Sequence, residues 1–129
     1  MCSSDLLIVH SDRVVYKPME MLRVPAPWHR GRTILIGDAA HTTTPHLAQG
    51  AAMAVEDAVL LAELLGGGID VQAVFAEFMR RRFDRACYVV DSSNKLATWE
   101  LQEWRGTPAP DADPGGLLHR ASQALLEEY

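Results

Sequence analysis

The sequence predicts an α/β fold in which a few short strands are followed by a buried helix and then a long helix. Three features carry that reading. Thr33 to Ile36 (TILI) is a continuous β-favouring run bounded by Gly31 and Gly37, the pattern of a central parallel strand covered on both faces. Ala51 to Leu65 is rich in alanine and leucine, with apolar residues almost all round, which marks a buried helix rather than an amphipathic surface one. From Val71 onward, Val74, Phe75, Phe78, Met79, Ala86, Val89 and Val90 recur at steps of three and four, the period of a second helix.

The other segments fall in place around these. Leu6–Val9 and Arg13–Tyr16 are short aliphatic runs split by the turn-prone pair Ser11-Asp12, so they read as two strands or one bent strand. Pro18 interrupts the chain, and Pro25-Ala26-Pro27 makes a non-helical connector, because each proline lacks a donor and restrains its predecessor. Ala39 to Gly50 has threonines and Pro45 but no periodic apolar face; it reads as a loop with a short helical turn at its start. Gly66-Gly67-Gly68 ends the first helix. The second is expected to reach about Trp104, with Ser92-Ser93-Asn94 as the place for any kink, and its opposite face carries Arg80, Arg81, Asp84 and Arg85 as a solvated or interdomain surface. Residues 105–116, with three prolines, read as a linker, and residues 117–129 as a terminal helix.

The composition narrows the classes of function. A chain of 129 residues with 48% hydrophobic content can bury roughly two thirds of its unfolded surface as one unit. A net charge of -5 leaves no basic patch for a polyanion, so no nucleic acid is expected as partner. Cys2 and Cys87 make neither a disulfide framework nor a zinc spacing and suit a reducing cytoplasm as free thiols. No apolar run approaches the ~20 residues of a membrane span, and the first ten residues lack the form of an export signal. Cys2 to Leu6 (CSSDL) matches the translation of a common sequencing adapter; residues 1–6 are therefore expected to be non-native, with the natural gene starting further upstream.

The chemistry is concentrated in Gly31 to Ala58, GRTILIGDAAHTTTPHLAQGAAMAVEDA. Gly37 at the strand end lets a ligand or a neighbouring backbone come close. Asp38 lies just past the carboxyl end of the strand, where ligands of open α/β sheets bind, and its carboxylate can accept hydrogen bonds from sugar-like hydroxyls. Gly50, Ala51 and Ala52 expose unpaired amides at a helix start, which favours electron-rich ligand atoms.

Gly37-Asp38-Ala39-Ala40-His41, Pro45, Gln49-Gly50 and Glu56-Asp57-Ala58 together resemble the second flavin-binding motif of the class A flavoprotein monooxygenases, the para-hydroxybenzoate hydroxylase and ubiquinone-hydroxylase family. Val24 to Arg32 resembles the same family, and the likeness runs from about Tyr16 to Ser92. It implies that residues 1–129 form the carboxy-terminal portion of a FAD/NAD(P)-binding, Rossmann-like domain. It implies a FAD-dependent enzyme, reduced by NADH or NADPH, that hydroxylates a small aromatic substrate with dioxygen through a flavin C4a-hydroperoxide.

By this resemblance Asp38 accepts hydrogen bonds from the ribityl chain of FAD, with Gly37 beside it. Pro45 borders the isoalloxazine ring on the substrate side, with His46 as a second substrate candidate. Ala48, Gln49, Gly50, Ala51 and Ala52 face the N1 and C2 carbonyl edge, where reduction places negative charge. Ala48 stands where many family members have glycine, so the loop is expected to be stiffer or displaced there. No residue of the chain needs to act as a catalytic nucleophile.

The plainer readings of the same residues are as follows. An isolated Asp38 would be a turn or capping residue. Asp38, His41 and His46 make no metal set, because the loop offers no further nitrogen or sulfur ligand at metal spacing. His41 reads as packed beneath the loop with a hydrogen bond fixing its ring, and Glu56 and Asp57 as structural, bonded to backbone or arginines. Trp28 and Met53 read as core, and Arg80 to Arg82 as a solvated face. No G-x-G-x-x-G occurs, so the chain is expected to be a fragment that needs the amino-terminal part of the same enzyme, binds FAD poorly alone and oxidises nothing. Two other readings stay open: a non-catalytic helical interaction module, and another flavoprotein chemistry on the same scaffold. Substrate identity and oligomeric state, a homodimer included, are not legible.

Overall fold

The computed structural model describes residues 17–68 and 70–126, so the expectations for the strands before residue 17 and for residues 1–6 lie outside the described residues. Strands β1 (His29–Arg30) and β2 (Thr33–Ile34) form an antiparallel hairpin with His29 opposite Ile34 and Arg30 opposite Thr33. Gly31 takes φ 59° at its turn, a left-handed conformation that suits a two-residue hairpin and costs glycine little. Helix α1 (Asp38–His41), a 3₁₀ turn (Pro45–Leu47), α2 (Gly50–Gly66), α3 (Val71–Trp104) and α4 (Pro114–Leu126) follow.

Two expectations are corrected here. The run Thr33 to Ile36 is not a central parallel strand: it pairs with its sequence neighbour, Ile34 and Ile36 pack on the core, and Leu35 faces out at 37% exposure. A two-residue turn can join only antiparallel strands. Likewise α2 is not buried all round. Met53, Asp57 and Leu60 are buried, but Val55, Val59 and Leu65 are exposed. A 17-residue helix flanked by α3 on one side has only that side covered, whatever its composition.

Helix α3 is one uninterrupted 34-residue element, about 51 Å long. Its N-cap Asp70 accepts a hydrogen bond from Gln72 N at 2.9 Å. Its buried stripe runs Val74, Phe78, Arg82, Ala86, Val89 and Ser93, so one arginine stands in register with the core. The main cluster joins Trp28, Ala40, Met53, Leu60, Phe78, Ala86 and Val89. Trp28 Nε1 donates to Val24 O at 2.8 Å, satisfying the one polar atom of that ring. A smaller cluster of Leu96, Trp99 and Leu117 joins the far end of α3 to α4. Helix α4 starts at Pro114, three residues before the predicted Leu117, because Asp113 caps it by accepting from Gly116 N at 2.9 Å and proline suits the first helical position. Among the described residues no helix is long and apolar enough to cross a membrane.

Candidate functional site

A sharp corner follows the hairpin. Gly37 adopts φ 56°, ψ -141°, a region essentially closed to residues with a side chain. A Cβ there would also come within 3.1 Å of the Ala54 Cβ. The corner turns the chain into α1, whose Ala40 and His41 amides bond back to Gly37 O at 2.9 and 3.0 Å, and it leaves Asp38 exposed at the first helical position.

Asp57, wholly buried, holds this corner from α2. Its Oδ2 accepts from Gly37 N at 2.8 Å and from His41 Nε2 at 2.7 Å, and its Oδ1 accepts from Arg82 Nε at 2.7 Å. Arg82, also 0% exposed, donates in addition to Glu56 at 2.5 Å and to Met53 O at 3.2 Å. Arg85 forks onto both oxygens of Glu56 at 3.0 Å and reaches Leu125 O at 2.9 Å. Burial alone would raise the Asp57 carboxyl, but the bonds from His41, Gly37 and Arg82 outweigh it and hold the group below the ordinary aspartate value. Glu56 is lowered in the same way, its burial outweighed by bonds from Arg85 and Arg82.

His41 and the pair Glu56-Asp57 therefore sit as expected: the ring is packed under the loop against Trp28 and fixed by one bond, and the carboxylates hold arginines and a backbone amide. The arginine run is a correction. Arg80 is solvated beside Glu77, whereas Arg82 lies in the core and Arg85 is largely covered between α2 and α4. The signal was in the sequence: Arg82 falls four residues from both Phe78 and Ala86, and Asp57 falls four after Met53 and three before Leu60, so the stripes of the two helices bring opposite charges together.

The loop after α1 is pinned at its other end by α3. Ser93 Oγ, fully buried, donates to Thr44 O at 3.0 Å and accepts from Leu47 N at 3.2 Å. Ala48 completes the 3₁₀ turn by donating its N–H to Pro45 O at 2.8 Å, with φ 53° and ψ 27°. Alanine there carries left-handed strain that glycine would not, which is how the loop accommodates the residue.

These constraints open a cleft of about 430 Å³ between the corner and the start of α2. Of the residues singled out in the sequence, Asp38, Pro45, Ala48, Gly50 and Ala51 line it together. Gly37 is buried behind Asp38; Gln49 precedes α2 and its carbonyl accepts from Met53 N; Ala52 is exposed on the first turn outside the cleft wall. His46 turns away from the cleft and bonds Glu100 Oε2 on α3 at 2.9 Å. Sequence reasoning passed over Thr44, which lines the cleft, is 6% exposed, and has a buried hydroxyl with no partner among the described residues. Nothing in the local sequence separates it from its neighbours Thr42 and Thr43.

Asp38 at the corner and the first turn of α2 thus face one cleft. Residues 10–93 match the model of the FAD binding domain family. The chain belongs to that family. Among its relatives, an FAD-dependent monooxygenase of Bacillus subtilis named YetM is 43% identical over 116 residues, covering 90% of this chain and 30% of that protein. The 2-heptyl-3-hydroxy-4(1H)-quinolone synthase of Pseudomonas aeruginosa is 57% identical over 58 residues, 45% of this chain and 15% of its own. The 6-hydroxynicotinate 3-monooxygenase of Pseudomonas fluorescens is 47% identical over 88 residues, 64% of this chain and 23% of its own. The chain thus spans less than a third of the length of these relatives. No solved structure matches it.

Proposed function

We propose that this chain is the flavin-facing segment of a cytoplasmic FAD-dependent monooxygenase that hydroxylates a small aromatic compound at the expense of NADH or NADPH and dioxygen. The observation that carries the reading is the common opening of Asp38 and the start of α2 onto one cleft, within the part of the chain that belongs to the FAD binding family. The residues suit the cofactor. Asp38, exposed at the rim, offers acceptors for the ribityl hydroxyls, and the amides of Gly50, Ala51 and Ala52 precede the hydrogen-bond ladder of α2, which begins with Met53 N on Gln49 O.

FAD supplies the redox chemistry and the activation of dioxygen when bound. The residues of this chain position the ring and stabilise its charge. Amide dipoles at the α2 start would favour negative charge on a ring held in the cleft, Pro45 and Ala48 shape its wall, and Gly37 allows the turn that leaves Asp38 at the rim. A pyrophosphate-binding turn is not among these residues, and the share of the relatives covered supports its coming from another part of a longer polypeptide.

The test is to substitute this segment for the corresponding 116 residues of the Bacillus relative. The chimera is expected to purify yellow and to oxidise NAD(P)H, and Asp38→Ala in it to weaken FAD binding by tenfold or more. A folded chimera that retains FAD equally well without the Asp38 carboxylate would refute the assignment. The isolated 129-residue chain is expected to bind FAD only weakly, and calorimetry giving micromolar or tighter affinity would show that no further part is needed.

A further inference from the structure

The turn that carries Pro45 and Ala48 walls the cofactor cleft, yet little within the turn holds it in place. It is a single 3₁₀ turn closed by one bond, from Ala48 N to Pro45 O at 2.8 Å. Proline supplies no donor, and one isolated turn is too short to persist by itself. Its position is set from α3. Ser93 Oγ, wholly buried, brackets it, donating to Thr44 O before Pro45 at 3.0 Å and accepting from Leu47 N after it at 3.2 Å. A mid-helix serine can return its hydroxyl to the carbonyl four residues back; this one gives its single proton to the loop. Two turns further along the same helix, Glu100 bonds His46 Nε2 at 2.9 Å.

Ser93 itself does not line the cleft. It belongs to the same buried stripe as Arg82, whose partner Asp57 fixes the amide of Gly37, next to Asp38. Arg82 and Ser93 stand three helical turns apart, about 16 Å along the axis. One helix therefore holds both ends of residues 37–47, Gly37 by way of Arg82 and Asp57, and Leu47 by way of Ser93. Asp38 and Pro45 line the cleft near those ends, so their separation is tied to the rise of α3 between two buried polar groups.

We propose that Ser93 is a positioning residue of the cofactor cleft. Through the backbone of Thr44 and Leu47 it sets where Pro45 and Ala48 stand relative to Asp38, and so how tightly the cleft holds its ligand. That the ligand is FAD rests on the flavin reading above; the hold of Ser93 on the cleft wall does not.

The two are tested apart on the full 129-residue chain. Amide exchange without cofactor reads the wall, and amide chemical shifts during titration with FAD to millimolar concentration read the binding. Ser93→Ala is expected to speed exchange of the Leu47 amide at least tenfold relative to Phe78, and to weaken FAD binding about fivefold. Ser92→Ala, the same deletion at a buried neighbour that makes no bond to the loop among the described residues, is expected to do neither. Ser93→Thr and Ser93→Val share one branched shape and differ in the hydroxyl, so the first is expected to keep both properties and the second to lose both. Equal behaviour of that pair, a Leu47 amide unmoved in Ser93→Ala, an acceleration shared by Phe78, or a loosened wall with FAD affinity unchanged would overturn the proposal. Absence of any saturable FAD shift in the unsubstituted chain counts against the flavin reading, and the exchange of Leu47 against Phe78 then decides for the wall.

Discussion

Asp57 and Arg82 are the residues on which the corner at Gly37 depends. Removing one member of a buried, hydrogen-bonded ion pair leaves the other uncompensated, so Arg82→Ala is expected to cost about 3–5 kcal/mol in urea denaturation. The pair also sets an acid limit. Because the Asp57 and Glu56 carboxyls are held below their ordinary values in the folded chain, their contribution is present above the unfolded value near 4 and is lost as pH falls through the depressed one. The urea midpoint should be flat from about pH 7 to 5 and fall below about 4. Glu77, brought to about 2 by Arg80 and Arg81 at the surface, titrates in the same range, so a shallower fall in Asp57→Asn is the diagnostic result. At Ala48 the opposite sign is expected: Ala48→Gly relieves left-handed strain and should stabilise by about 0.5–1 kcal/mol net of the extra freedom it gives the unfolded chain.

At the scale of elements, the sequence spoke clearly where local chemistry decides. Both long helices, the loop with its opening helical turn and the hydrogen-bonded His41 were legible because periodicity, glycine and proline act within a few residues. The pairing of Thr33 to Ile36 was not, since a β-favouring run has no mark that tells a hairpin arm from a central strand. The start of α4 was legible but passed over: Asp113-Pro114 is a cap followed by a first-turn proline, as much as it is linker composition. Asp113→Ala should accordingly fray α4 and cost about 1 kcal/mol. The site divides along the same line, because the corner and cleft residues stand within one short motif, whereas Arg82 and Ser93 reach it from 25 and 49 residues away and announce themselves only through the register of α3.

Across the whole molecule, α3 serves two clusters of unequal size. Its first two thirds pack with α2 and Trp28, and its last turns rest on Leu117 of α4, with Leu47 and Ala109 packed against that smaller cluster. Amide exchange should show protection highest around Phe78 to Val90 and falling by at least tenfold toward Leu101; uniform protection along the helix would contradict this division.

The reach of Arg85 to the carbonyl of Leu125 has a practical consequence. From that carbonyl a continuous chain of bonds runs through Glu56, Arg82 and Asp57 to the amide of Gly37. Clipping the tail a few residues short, or fusing a bulky tag onto it, should therefore register as a chemical-shift change at the Gly37 amide, at the opposite end of the bond network.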